Sequence, residues 1–156
     1  MIDKKIKLVK RKKQYRSLDS LKSVGIVWNG KDQGVHESLV KLLDEKQIEY
    51  TDLCFSETSP LHGTANIINK KDFNFWGMPK NKNIEHFINT EFDLLIDMSL
   101  STSLGAQVIR SLSRASMKAG WSSALPDYFD LSIDVSKNQD PQFLVKQLIH
   151  YLNAIN

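Results

Sequence analysis

The sequence predicts a single three-layer α/β domain built on a mostly parallel sheet of about five strands. Three observations point there. Short runs such as Val24–Trp28 and Phe92–Asp97 are largely apolar, as strands buried on both faces are. Segments with apolar residues at helical spacing alternate with them. The 156 residues, 41% hydrophobic and 25% charged, are ordinary for one globular domain with its own core.

The elements follow in order. Val24–Trp28 is a strand closed by the turn pair Asn29-Gly30. Val35, Leu39, Leu42 and Leu43 repeat at helical spacing between charged residues. Ile48–Phe55 alternates as a strand, and Ile67-Ile68 and Phe73–Trp76 read as extended. Asn83 is positioned to cap a short helix carrying Ile84, Phe87 and Ile88. Phe92–Asp97 is a strand and Ser99–Ser103 a polar loop. A helix then presents Leu104, Val108, Leu112 and Ala115. Met117–Trp121 and Tyr128–Val135 are two further strands. Asp140 and Pro141 open the last helix as N-cap and first residue, with Leu144, Leu148, Tyr151, Leu152 and Ile155 as its buried stripe.

Charge divides the chain unevenly. The net charge is +3. Residues 1–16 hold eight basic side chains (Lys4, Lys5, Lys7, Lys10, Arg11, Lys12, Lys13 and Arg16) against Asp3 alone, a local charge of +7. The other 140 residues carry 13 basic and 17 acidic side chains, a charge of −4. The expected organisation is a basic N-terminal arm, residues 1–20, followed by one α/β domain, residues 21–156. Such an arm suits the phosphates of RNA or a ribosome, an anionic membrane surface, or a protein partner. A solvated chain end is the plainer reading. No apolar run approaches the roughly 20 residues that cross a bilayer, and no secretory h-region follows the basic start. A cytoplasmic location is the expectation.

Open parallel sheets bind ligands outside the carboxyl ends of their strands. Two loops there have suitable chemistry. Asn29, Gly30 and Gly34 belong to the turn after the first strand, ahead of a helix N-terminus. Ser99, Ser101, Thr102 and Ser103 offer four hydroxyls before another helix, for an anion or for capping that helix. Asp97 precedes them as a base, a ribose ligand or a loop cap. Neither the Walker nor the dinucleotide glycine pattern is present.

No catalytic residue stands out. His36, His62, His86 and His150 have no metal-ligand spacing, so no metal and no cofactor is expected. His62 sits in a loop as an isolated candidate base. Cys54, the single cysteine, reads as a small core residue. Asp127, Asp130 and Asp134 form a carboxylate cluster that edge and turn roles explain. The aromatics of Asp72–Pro79 fit a core, a recognition patch or a homodimer interface.

Together with the basic N-terminus, Val24-Gly25-Ile26-Val27, Lys71-Asp72-Phe73-Asn74-Phe75-Trp76-Gly77 and Glu91-Phe92-Asp93-Leu94-Leu95-Ile96-Asp97 resemble a bacterial domain family of unknown function across nearly the whole chain. The resemblance implies the fold class and a bacterial cytoplasmic origin, and no activity. Residues 92–120, with Ser113-Arg114-Ala115-Ser116-Met117-Lys118-Ala119-Gly120, are similar to the N-terminal domain of heptosyltransferase-type glycosyltransferases. That similarity implies a Rossmann-like or flavodoxin-like domain. Asn29-Gly30-Lys31-Asp32 stands where those enzymes carry Gly-Asp, and there is no room for their second, donor-binding domain. The expected function is non-catalytic binding or scaffolding through the arm. The alternative is a nucleotide- or sugar-phosphate-binding enzyme, or a degenerate transferase, using the strand-end loops.

Overall fold

The computed structural model describes residues 11–56, 66–121 and 129–155. Six strands form one sheet in the order β3-β2-β1-β4-β5-β6. They are β1 (Ser23–Asn29), β2 (Glu49–Phe55), β3 (Asn66–Ile68), β4 (Leu94–Asp97), β5 (Lys118–Trp121) and β6 (Leu131–Ile133). Every neighbouring pair is parallel. The helices are α1 (Gln33–Glu45), α2 (Lys82–Asn89), α3 (Leu104–Leu112) and α4 (Pro141–Ala154). The fold is α/β with helices on both faces, in keeping with a Rossmann-like three-layer domain.

Alternation along the central strands separates two cores. Val24, Ile26 and Trp28 of β1, with Leu94 and Ile96 of β4, pack beneath Leu39 and Leu43 of α1 and Leu144, Leu148 and Leu152 of α4. Val27, Leu53, Ile68 and Leu95 point the other way, onto Ile84 and Phe87 of α2 and Val108 and Ile109 of α3. The strands read as unbroken apolar runs because each serves both cores.

The differences from the sequence reading have local causes. The sheet has six strands because the short segments Asn66–Ile68 and Leu131–Ile133 both pair at its edges. Phe73–Trp76 is not a strand. Phe73 makes one isolated bridge to Pro79, and the Asn74 side chain folds the segment into a turn. Asn81, not Asn83, caps α2: its side chain accepts from the Asn83 amide at 2.8 Å. Leu104 and Tyr151 are exposed: α3 buries most of its other residues instead of Leu104, and α4 buries Leu144, Leu148 and Leu152 without Tyr151. The last strand covers less than Tyr128–Val135, and Tyr128 lies outside the described residues. Asp140 caps α4 with Pro141 at its first turn.

The chain joins the core before residue 21. Leu18 and Leu21 are buried against the α1–α4 face. Among the described residues no helix is long and apolar enough to cross a membrane.

Candidate functional site

From β1 the chain first moves outward through β2 and β3, then returns past β1 to build β4, β5 and β6. The reversal leaves a crevice at the carboxyl ends of β1 and β4, where open α/β sheets take their ligands. Here it is a cleft of about 620 Å³, within the size range of small-molecule sites.

Four stretches of chain line it. Asn29 ends β1, and its side-chain oxygen accepts from the Lys31 amide at 3.1 Å, fixing the turn that places Gly30 and Lys31 at the cleft. β2 contributes Phe55 and then Ser56. Beyond β3, a capping box between Asn69 and Asp72 shapes the turn carrying Lys70. Phe73 stacks at 6.4 Å on Phe55 to make an apolar floor. Ser101, Ser103, Leu104 and Gly105 complete the wall at the start of α3. A Cβ at Gly105 would stand 2.8 Å from the Phe73 ring, so glycine permits this close approach.

The loop after β4 is locked from beneath. Asp97 is fully buried. Its Oδ1 accepts from the Ser99 amide at 2.9 Å and the Ser99 hydroxyl at 2.6 Å, and its Oδ2 from Arg110 Nη1 at 2.9 Å. The same Arg110 nitrogen donates to the Ser101 carbonyl at 2.9 Å. The Arg110 guanidinium lies 5.5 Å from the Trp121 ring and 5.7 Å from Phe129, so its remaining surface faces aromatic π-clouds. This framework holds Leu100 at a left-handed φ of 54°. Asp97 therefore organises the loop, and its buried carboxylate does not reach the cleft as a base or ribose ligand would.

The structure sorts the candidate hydroxyls. Ser99 is internal, bound to Asp97. Ser103 caps α3 through the Ala106 amide at 3.2 Å while also lining the cleft. Ser101 lines the cleft and donates to Ser103 Oγ at 3.0 Å. Thr102 and Gly34 are not among the lining residues. Asn29 and Gly30, from the other loop, are. Phe73 was singled out within the aromatic segment Asp72–Pro79; Lys70 and Phe55 were not, because their meeting with it depends on strand order.

Lys31 and Lys70 are the charged residues of the lining, and neither forms an ion pair among the described residues. No carboxylate, imidazole or thiol lines the cleft among those residues.

Part of the basic segment is engaged elsewhere. Arg11 grips Asp130 with two bonds of 2.8 Å, and Lys13 stands 3.2 Å from the same carboxylate. The Tyr15 hydroxyl donates to the Asp130 carbonyl at 3.1 Å. Arg16 lies 3.5 Å from Asp93. Burial alone would raise the Asp130 carboxyl, but hydrogen bonds from Arg11 and the Lys118 amide, helped by the Arg11 charge and Lys13, hold it below the ordinary range. Lys12 is exposed; Lys4, Lys5, Lys7 and Lys10 lie outside the described residues, as do His62 and Asp127.

Away from the cleft, His36 stacks on Trp28 with ring centroids 3.8 Å apart and contacts Asp52 at 2.7 Å. Their distance in sequence hid the pairing. Burial pushes the Cys54 thiol up to about 11, an unreactive core position. Among the described residues no three His, Cys, Asp or Glu side chains group as metal ligands.

A family model described as "Family of unknown function (DUF6913)" matches residues 1–155. No curated protein and no solved structure matches the chain, so the glycosyltransferase similarity finds no support there.

Proposed function

The chain belongs to this family of unknown function, and from the chemistry of its own residues we propose that it binds a small phosphorylated metabolite in the cleft between β1 and β4. One observation carries the reading. Among the described residues the cleft's charged lining is two lysines, Lys31 and Lys70, that form no ion pair there, and no acid stands with them to oppose an anion. Hydroxyls of Ser101 and Ser103 and the Asn29 carboxamide add neutral hydrogen-bonding groups, and the phenylalanine floor gives an apolar wall. Among the described residues the lining holds no carboxylate, imidazole or thiol, which supports binding over acid–base chemistry.

A polyanion held by residues 1–16 is the competing reading. Arg11 and Arg16 are already neutralised by Asp130 and Asp93, which weakens it. Thermal-shift titration with ribose 5-phosphate tests the choice. Wild type should be stabilised, Lys31→Ala/Lys70→Ala should lose the shift, and deletion of residues 1–10 should keep it. A shift that survives the double substitution and vanishes with the deletion would reverse the assignment.

A further inference from the structure

Two large apolar side chains stand in water, Phe75 at the cleft and Trp76 against it. Phe75 is 88% exposed and Trp76 59%. Trp28 and Trp121, the other two tryptophans, are buried. Phe75 and Trp76 meet edge to face, with centroids 5.3 Å apart and ring planes at 85°. Phe75 belongs to the cleft lining.

The loop that carries them is built to hold them out. The Asn74 carboxamide oxygen accepts from the amides of Trp76 at 2.8 Å and Met78 at 3.0 Å. The Asn74 amide donates to the Met78 carbonyl at 2.8 Å, and the Gly77 amide to the Asn74 carbonyl at 2.9 Å. Gly77 takes φ +82°, and a Cβ there would come within 2.5 Å of Leu104. The loop thus turns back onto α3 with both rings facing outward. Exposure of this size costs hydration free energy, which a stacked ligand would recover. Phe75 and Lys70 both line the cleft, so planar apolar surface and positive charge share it.

We propose that the ligand is a 5′-nucleotide, its base set against the right-angled Phe75–Trp76 pair, stacked on the Trp76 ring and edge-on to Phe75, and its phosphate drawn between Lys31 and Lys70. This deepens the anion-binding reading and rests on it. Every base presents a π-face, so such a platform is tolerant of base identity. The two lysines match the roughly two negative charges of a phosphate monoester.

The test is calorimetric titration of the full chain with AMP, GMP, CMP and UMP, and with ribose 5-phosphate as the baseless control. Nucleotides should bind at least tenfold more tightly than ribose 5-phosphate and should quench tryptophan emission. The quench should disappear in Trp76→Phe. In Phe75→Ala/Trp76→Ala, whose side chains are exposed, the nucleotide preference should fall below threefold. Equal binding of nucleotides and ribose 5-phosphate overturns the nucleotide assignment and leaves the anion site standing. Failure of all five ligands overturns both. A dimer by light scattering that the double alanine variant dissolves, with no nucleotide preference in wild type, assigns the aromatic pair to self-association and overturns the proposal.

Discussion

Arg110 and Lys118 illustrate how single buried charges support the cleft from behind. Arg110 couples Asp97 to the Ser101 carbonyl. Arg110→Ala would strip the fully buried Asp97 of its ion-pair partner and leave only the Ser99 bonds, a change expected to cost about 3–5 kcal/mol by urea unfolding. A loss under 1 kcal/mol would show that the pair is not holding the loop. Lys118 Nζ donates to the Arg110 carbonyl at 2.7 Å, closing the end of α3. Burial, then the nearby Arg11 charge, pushes its amine down to about 7, against a partial pull upward from Asp130. The unfolded chain leaves this lysine near its ordinary 10.5, so between those values the unfolded state binds the extra proton. Stability should therefore rise with pH across roughly 7 to 10.5, and Lys118→Met should remove that rise; an unchanged slope would exclude the lysine as its source. Asp97 was legible in the sequence as a strand-end carboxylate. Its partner was not, because Arg110 lies 13 positions away across a loop and a helix.

At the level of elements, legibility followed local chemistry. β1 and α4 were evident because an apolar run and an Asp-Pro cap act within a few residues. β3 and β6 were legible as the extended Ile67-Ile68 and the strand Tyr128–Val135, but at three residues each their bounds were not, because those are set by where the edge of the sheet accepts them. Phe73–Trp76 has strand composition, yet Asn74 diverts its backbone hydrogen bonds into a turn. The end of α1 offers a clean test of such local rules. Gln47 sits there at φ 58°, with the Ile48 amide returning to the Leu43 carbonyl at 2.8 Å and the Gln47 amide to Asp44 at 3.0 Å. Glycine is the residue this left-handed position favours. Gln47→Gly should raise stability by about 0.5–1 kcal/mol in urea unfolding, and a loss would mean the side chain contributes more than its backbone conformation costs.

Across the whole molecule, the parallel α/β class could be read from alternation, whereas the site could not be read as one place. Asn29 and Ser101 belong to loops more than seventy positions apart in sequence, and only the β3-β2-β1-β4-β5-β6 order makes them neighbours. Charge told a similar story. The +7 of residues 1–16 looked separate from an acidic body. Arg11, Lys13 and Arg16 instead meet Asp130 and Asp93 at the amino ends of the strands, the end of the sheet opposite the cleft. The two positive regions are thus separate places, and a single residue-by-residue measurement distinguishes them. Backbone amide chemical shifts of the full chain should be followed by NMR as ribose 5-phosphate is added. Perturbations are expected at Asn29–Lys31, Lys70 and Ser101–Gly105, with residues 11–17 unmoved. Shifts confined to residues 11–17, or no shifts at saturating ligand, would contradict a binding site between β1 and β4.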